Sequence, residues 1–282
     1  MSICQISYNQ DTFRNSKDAQ VSIFDRGYLF ADGVYEVTAV IHGKLVDFKR
    51  HIKRLNYSLQ AMSIKSRWSD EQIEKIHLEL IEKNHLTEGT IYMQITRGVA
   101  PRIFQFPEES AAQLTAFAMT GELLNNPHCQ KGVRVITTPD IRWQRRDIKS
   151  IALLGQVLVK QEAVGAGAFE GWMVEDNYVR EGSSSAALIL SKGVIQTHEL
   201  CQKVLASTTR NALLDIAREC DLQVVEKAFT LEDAYAADEA FLSSASNLIL
   251  PVVTINQTPV GSGKPGKIFQ LLRQKYIERY CS

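Results

Sequence analysis

Two hydrophobic periodicities alternate over residues 1–120. β-branched and aromatic residues recur in short runs separated by glycines over residues 21–48, which predicts strands and turns there and no helix. Two amphipathic helices are predicted next, and the second begins with a capping box at residues 69–72 (Ser-Asp-Glu-Gln). Strands are predicted at 90–97 and 114–119, on either side of a proline-bounded loop.

The pattern changes in the second half of the chain. Residues 121–130 lose periodicity and carry turn formers, so we interpret this segment as a linker. An apolar helix is predicted over 151–164, and a hairpin over 173–179 that turns at Asp176-Asn177. A further amphipathic helix is predicted to begin at 207–209 (Ser-Thr-Thr), where hydroxyl side chains cap the first turn. This mixture of helices and strands predicts an α/β (α+β) fold.

Length and composition favour two domains. The chain has 282 residues, 45% of them hydrophobic, which exceeds the usual size of a single core. We place an N-terminal domain at 1–120, the linker at 121–130 and a C-terminal domain at 131–282.

Charge and cysteine usage exclude several classes of protein. Lys and Arg total 32, as do Asp and Glu, so no whole-molecule field recruits nucleic acid or an anionic membrane. The five cysteines include no C-x-x-C pair and the six histidines no paired ligand spacing, which favours reduced thiols in the cytoplasm and no metal site. The N-terminal sequence has no signal-peptide pattern, and no stretch approaches a membrane span of about 20 apolar residues.

Three motif-like segments have ordinary interpretations. Gly261-Ser262-Gly263-Lys264 lacks the spacing of a nucleotide-binding phosphate loop, and Pro265 stands where Ser or Thr is required. Residues 165–167 (Gly-Ala-Gly) follow an apolar helix and are interpreted as its stop signal. The basic cluster at 142–146 is interpreted as a solvated face.

Three other features indicate chemistry. Lys149 precedes an apolar segment, whose desolvation of the ammonium favours a nucleophilic amine. Glu181 lies between two apolar strands and is predicted to be a buried carboxylate that needs a cationic partner. The helix start at 207–209 offers amides and hydroxyls to a phosphate. Singly these are a surface lysine, a turn glutamate and a helix cap, but together they are what a protein supplies to pyridoxal phosphate.

Four segments identify a family. They are Asp25-Arg26-Gly27-Tyr28 continuing to Val37, Thr96-Arg97-Gly98 with Pro101-Arg102, Asp147-Ile148-Lys149-Ser150, and Glu181-Gly182-Ser183-Ser184-Ser185. In this order they resemble the fold type IV pyridoxal-phosphate aminotransferases, in particular their D-amino-acid branch, over nearly the whole chain. The resemblance implies a smaller N-terminal α/β domain, a larger C-terminal domain with a mixed sheet or barrel, and a cytoplasmic homodimer whose active site borrows a loop from the partner.

The resemblance also implies cofactor-binding residues. Lys149 is expected to bond covalently to pyridoxal 5'-phosphate and to move the substrate proton, and Glu181 to pair with the protonated pyridine nitrogen. The other residues implied are the phosphate ligands Arg54, Thr208, Thr209 and Ser244, and Leu205, which packs on the ring.

A second implied set binds the substrate. Tyr35 is expected to hold the substrate carboxylate together with Arg102, which matches an arginine on the loop that the partner subunit lends to the site. We expect Arg26 to be an additional contact. Phe104 stands where the family has a histidine, which makes the pocket more apolar. A charged hydrogen bond is worth about 1.5–3 kcal/mol, so its loss weakens carboxylate binding about ten- to a hundredfold unless another group replaces it.

The activity implied is transamination between D-alanine and 2-oxoglutarate, giving pyruvate and D-glutamate. Three alternatives share the fold: a branched-chain L-amino-acid aminotransferase, an aminodeoxychorismate lyase and an (R)-amine transaminase. A non-catalytic protein that binds a phosphate ligand is the alternative from another class, but phosphate binding alone needs neither Lys149 nor Glu181.

Overall fold

The structure, a computed structural model, describes residues 2–281. They form two compact units, one containing the chain up to Leu123 together with Ile148–Ala152, the other containing Leu124–Asp147 and the chain from Leu153 onward. Each unit combines helices with one sheet, so the predicted α/β class is confirmed. The domain boundaries predicted at 120 and 131 stay a prediction.

The first unit contains a six-stranded antiparallel sheet. Its strands are β1 (Ser2–Asn9), β2 (Thr12–Asn15), β3 (Gly33–Ile41), β4 (Lys44–Leu45), β5 (Glu88–Thr96) and β6 (Gln113–Thr120). They are ordered β2-β1-β6-β5-β3-β4. The predicted strands at 90–97 and 114–119 are confirmed as β5 and β6.

The helices of this unit are α1 (Arg26–Phe30), α2 (Phe48–Ala61) and α3 (Asp70–Asn84), with a 3₁₀ turn at Ser16–Asp18. The predicted capping box of α3 is present, since Ser69 and Gln72 exchange side-chain and backbone hydrogen bonds. The prediction of no helix over 21–48 is wrong because of α1. A five-residue helix is too short to show helical periodicity, and α1 is stabilised by its N-cap Asp25, which accepts from the amide of Gly27 at 2.7 Å.

The second unit is built on a mixed ten-stranded sheet. Its strands are β7 (Val133–Pro139), β8 (Glu170–Glu175), β9 (Tyr178–Gly182), β10 (Ala186–Ser191), β11 (Val194–Thr197), β12 (Gln223–Glu226), β13 (Phe229–Thr230), β14 (Glu239–Ser244), β15 (Leu248–Ile255) and β16 (Thr258–Pro259). The order is β12-β11-β10-β14-β15-β7-β8-β9-β13, with β16 beside β15. The predicted hairpin is confirmed as β8 and β9, and Asp176 and Asn177 both have the positive φ that its tight turn requires.

The helices described in the second unit are α4 (His128–Lys131), α5 (Leu154–Gly165), α6 (Thr208–Glu219), α7 (Leu231–Tyr235) and α8 (Lys267–Cys281). The predicted apolar helix is α5, and the predicted hydroxyl cap of α6 is Ser207, whose side chain accepts from the amide of Arg210. Within residues 2–281, no helix is both long enough and apolar enough to cross a membrane.

Each sheet packs against its helices around a separate core. In the first unit Val34, Ile91 and Ile95 from the sheet are buried with Leu55 and Leu80 from the helices. The core of the second unit includes Trp172, Phe229, Leu242 and Leu250. Both cores hold the strands that carry the candidate site residues.

At Gly98, which follows β5, two segments of the backbone approach each other closely. It has φ +98°, and a Cβ added there would lie 2.0 Å from the carbonyl oxygen of Ala111. We expect Gly98→Ala to lower the free energy of unfolding by about 3 kcal/mol, because strained φ and steric overlap add. The control is Gly193→Ala, at φ +80° with no atom within 4 Å, which should cost about 1–2 kcal/mol. Equal losses in urea unfolding would contradict the overlap.

Candidate functional site

The main chain of Lys149 is fixed by two elements of the first unit. Its carbonyl accepts from the amide of Tyr35 on β3 at 2.9 Å, and its own amide donates to Oγ of the buried Ser58 on α2 at 3.1 Å. The ammonium nitrogen lies 4.1 Å from the centre of the Tyr35 ring, within range of a cation–π interaction. The peptide is therefore held in place, and the unbranched side chain, with its rotatable bonds, is the part of Lys149 that can change position.

Tyr35 is held by ring stacking along the sheet. Its ring centre lies 5.6 Å from that of Tyr92, and Tyr92 in turn lies 5.0 Å from Phe117. The hydroxyl of Tyr92 donates to Gln94 at 2.9 Å. Because β3, β5 and β6 are adjacent strands, these cross-strand contacts fix the direction of Tyr35.

Glu36, the next residue on β3, organises a buried charged cluster. It accepts from Nε and Nη2 of Arg54 at 2.8 and 2.7 Å, and its Oε2 lies 2.7 Å from Nδ1 of His51. Burial raises the pKa of Glu36, but Arg54 and His51 outweigh that effect and hold it below the ordinary value. Burial lowers the pKa of His51. Glu36 thus fixes the guanidinium of Arg54, a residue whose phosphate-binding role stays a prediction.

Arg102 and Phe104 lie on an exposed loop between β5 and β6. The guanidinium carbon of Arg102 is 5.5 Å from the ring centre of Phe30 and 6.0 Å from that of Phe104. Phe104 is 83% exposed. The structure therefore brings these two predicted substrate residues together on one surface of the first unit.

Arg26 is placed differently from the other predicted substrate residues. It is 2% exposed, its Nε donates to Asp32 at 2.7 Å, and its Nη1 donates to the carbonyl of Ile103 at 2.7 Å. A guanidinium buried and bonded in this way has little freedom to contact a ligand. The placement does not favour the predicted substrate contact of Arg26.

In the second unit, Glu181 on β9 is the buried carboxylate that its sequence context predicts. Arg142 donates from Nη1 to Oε1, and the amide of Leu205 donates to Oε2 at 3.1 Å. Burial raises the pKa of Glu181, and the Arg142 charge offsets this only in part. Another cation near this carboxylate would therefore stabilise its charged form.

The interpretation of residues 142–146 as a solvated face is wrong for two of its arginines. The side chains of Arg142 and Arg146 are only 5% and 3% exposed. Arg142 donates from Nη2 to Asp140 at 2.7 Å as well as binding Glu181, and Arg146 donates to Glu175 at 3.1 Å. The acidic partners Glu175 and Glu181 lie far along the chain, so the local charge pattern did not reveal them.

The start of α6 and a turn after β14 supply hydroxyl groups. Thr208 and Thr209 are buried in the first turn of α6, where backbone amides point out of the helix and its dipole favours an anion. Ser244 ends β14, and its hydroxyl accepts from Nδ2 of Asn247 at 3.3 Å. Leu205 connects Glu181 to α6, since its amide binds that carboxylate three residues before the helix begins.

Glu170, which the sequence analysis did not single out, holds the three serines that follow Glu181 and Gly182. It is fully buried, and its Oε1 accepts from the hydroxyl of Ser183 at 3.0 Å and from the amide of Ser184 at 2.8 Å. Ser185 donates to its other oxygen. The three consecutive serines are visible in the sequence, but their acceptor lies on the adjacent strand β8.

The Glu36 cluster predicts a pH-dependent stability. We expect Glu36→Gln to lower the free energy of unfolding at pH 7 by about 3–5 kcal/mol, because the buried Arg54 loses its partner. The pKa of Glu36 is lower in the folded chain, so its contribution is complete above about 4.5, its ordinary value, and declines as the pH falls below that.

Urea unfolding at pH 7 and pH 3.5 measures this difference. Glu79→Gln is the control, since Glu79 forms a partly exposed surface pair with Lys83 and should change stability by less than about 1 kcal/mol. A difference between Glu36→Gln and the unaltered chain that grows towards pH 3.5 would contradict the assignment.

Comparison with known proteins shows the family of the chain. Residues 33–255 match the amino-transferase class IV family. The chain is 38% identical to a D-alanine aminotransferase of Bacillus licheniformis over 89% of this chain and 88% of that protein. It is 37% identical to a D-alanine aminotransferase of Staphylococcus aureus (strain COL) over 95% and 96% of the two chains.

Solved structures show the same fold at lower identity. The branched-chain amino acid aminotransferase of Escherichia coli superposes with a TM-score of 0.93 at 20% identity, covering 99% of this chain and 95% of that one. That of Thermobaculum terrenum, in its PLP form, gives 0.88 at 20% identity, covering 99% and 94%. The chain therefore belongs to the class IV aminotransferases, which depend on pyridoxal phosphate.

Proposed function

We propose that this protein transfers the amino group of D-alanine to 2-oxoglutarate, giving pyruvate and D-glutamate. One observation carries the proposal: the near full-length similarity, at 37–38% identity, to D-alanine aminotransferases of two bacteria. The two branched-chain enzymes each share 20% identity with this chain, a likeness that shows the common fold alone.

The residues present fit pyridoxal phosphate. Glu181 is a buried carboxylate whose pKa burial raises, so a protonated pyridine nitrogen would stabilise its charge. Arg54, Ser244 and the first turn of α6 with Thr208 and Thr209 would bind the phosphate, and Leu205 would pack on the ring. When bound, the cofactor supplies an electron sink for the charge that develops at the substrate Cα.

Lys149 is the proposed catalytic residue. Its Nζ would be the group that holds the cofactor covalently, and the same nitrogen would carry the proton that leaves the substrate Cα. Tyr35 and Ser58 hold its main chain, so only the side chain moves during that transfer. This combination of a fixed peptide and a mobile amine suits one group that serves as nucleophile and proton carrier.

The proposed ligands of the substrate carboxylate are Tyr35 and an Arg102 supplied by the loop of the partner subunit. Arg102 lies beside aromatic rings on an exposed loop, and Phe104 next to it presents an apolar surface where the family has a histidine. Arg102 can bind the carboxylate without the histidine, because two N–H groups of a guanidinium match the two carboxylate oxygens in a bidentate contact.

We also propose a cytoplasmic homodimer. Apolar side chains are exposed on both units, including Tyr28 and Phe104 in the first and Leu154 and Val157 on α5 in the second. On α5, Leu154, Val157 and Leu158 lie at helical spacing and form one exposed apolar face, a feature typical of surfaces that another protein covers. The free thiols of Cys4, Cys129, Cys201 and Cys220 are compatible with a reducing compartment.

The substrate assignment predicts a specific half-reaction. When D-alanine is added without an acceptor, we expect the visible absorbance of the cofactor-loaded protein to bleach and about one pyruvate per site to appear, as in a ping-pong reaction. L-Leucine and an (R)-amine, each added alone, should cause no bleaching. Lys149→Ala is the control, and it should bind cofactor without this response.

Each other outcome identifies a different activity. Bleaching by L-leucine alone would contradict the proposal in favour of a branched-chain aminotransferase, and bleaching by the amine alone in favour of an amine transaminase. Pyruvate formed only from aminodeoxychorismate would indicate the lyase. If the protein gains no visible band with pyridoxal phosphate, the enzymatic proposal fails and the non-catalytic alternative is favoured.

Arg102 provides a separate test of carboxylate binding. We expect Arg102→Ala to raise KM for both D-alanine and 2-oxoglutarate about ten- to a hundredfold with a smaller change in kcat, since a charged hydrogen bond is lost in ground and transition states alike. Arg67→Ala is the control, because Arg67 is half-exposed and paired with Asp11. An unchanged KM for both substrates would remove Arg102 from the site.

A further inference from the structure

Two buried arginines hold the loop that carries Arg102, and they hold it at different points. Arg26 donates from Nη1 to the carbonyl of Ile103 at 2.7 Å and from Nη2 to that of Phe104 at 3.4 Å. The guanidinium carbon of Arg97 lies 3.6 Å from the ring centre of Phe106, a close cation–π contact. The loop is therefore tied down on the C-terminal side of Arg102.

Asp32 joins these two arginines. Its Oδ2 accepts from Nε of Arg26 at 2.7 Å and from Nε of Arg97 at 2.8 Å, and its Oδ1 accepts from Nη2 of Arg97 at 3.0 Å. Burial raises the pKa of Asp32, but the two guanidinium groups outweigh it and lower the pKa below the ordinary value. A single carboxylate thus fixes the planes of both arginines.

The cluster is also anchored away from the loop. Arg97 donates from Nη2 to the carbonyl of Met62 at 2.7 Å and from Nη1 to that of Ser63 at 2.9 Å, where α2 ends. The amide of Arg26 donates to the carbonyl of Gly98 at 2.9 Å, at the base of the loop. The loop is consequently connected through charged hydrogen bonds to two rigid parts of the first unit.

We propose that Asp32, Arg26 and Arg97 form a clamp that positions Arg102 for the substrate carboxylate. This rests on the proposed function, in which Arg102 binds that group. The clamp residues are positioning residues: they act by restricting the loop before substrate arrives, which lowers the entropy lost on binding. Arg26 therefore affects substrate binding indirectly, through the loop backbone that it holds beside Arg102.

The first test measures the loop directly. Arg26→Met removes the bonds to Ile103 and Phe104 but leaves Asp32 paired with Arg97, so no buried carboxylate is orphaned. We expect chymotrypsin to cleave after Phe104 at least about tenfold faster than in the unaltered protein, because the loop opens more readily. The control is Arg273→Met, which removes a buried arginine that donates to the carbonyls of Ile249 and Leu124 in the second unit.

A second variant keeps this test decisive if Arg26→Met does not fold. Arg97→Met leaves Arg26 paired with Asp32 but removes the contact that holds Phe106. We therefore expect the same faster cleavage after Phe104. Cleavage that is unchanged in a folded clamp variant, or equally fast in Arg273→Met, would overturn the proposal.

The second test separates positioning from direct contact. We expect Arg26→Met to raise KM for D-alanine about tenfold with little change in kcat, and to cause no further rise when Arg102 is already alanine, because its effect passes through Arg102. If the rise in KM of the double variant equals the product of the rises in the two single variants, Arg26 acts independently of Arg102, and the clamp is overturned. If the unaltered protein does not convert D-alanine, the proposed function fails, and the cleavage rates alone then decide the clamp.

Discussion

The pairing of β3 with β5 is the constraint on which the first unit's candidate site depends. The two strands pair along the full length of β3, from Gly33 opposite Thr96 to Ile41 opposite Glu88. Side chains alternate along a strand, so Tyr35 turns its ring towards Lys149 while Glu36 binds Arg54 and His51. A slip of one residue would exchange these faces, and both contacts would be lost together.

Buried carboxylates held by arginine recur in both units. Glu36 is bound by Arg54, Asp32 by Arg26 and Arg97, and Glu181 by Arg142. Such pairs contribute little net stability, since desolvation offsets much of the attraction. They do restrict direction, because a guanidinium donates along fixed lines in one plane. In this chain the pairs fix the directions of two candidate cofactor residues, Arg54 and Glu181, and the path of the loop that carries Arg102.

Local signals in the sequence predicted local structure well. The turn at Asp176-Asn177 and the hydroxyl caps at Ser69 and Ser207 each follow from residues within a few positions of one another. Helix α1 escaped prediction because one turn of helix, stabilised by Asp25, shows no hydrophobic period.

Partnerships across the fold could not be predicted in the same way. Arg54 lies 18 residues from Glu36, and Arg142 lies 39 residues from Glu181, so no spacing rule joins them. The candidate site residues came from the resemblance to a family, whereas the groups that orient them emerged only from the packed structure. Arg26 illustrates the difference, since its sequence position indicated a substrate contact and its burial indicates another task.

The loop at 101–107 is held partly through its backbone, and this affects which of its residues can change. Arg26 binds it through the carbonyl oxygens of Ile103 and Phe104, which every amino acid possesses. The side chain of Phe104 projects outward and takes no part in those bonds. Positions 103 and 104 can therefore change identity during evolution while the path of the backbone is retained. Divergence of substrate preference within this fold can accordingly proceed by exchange of loop side chains, without rebuilding the scaffold beneath them.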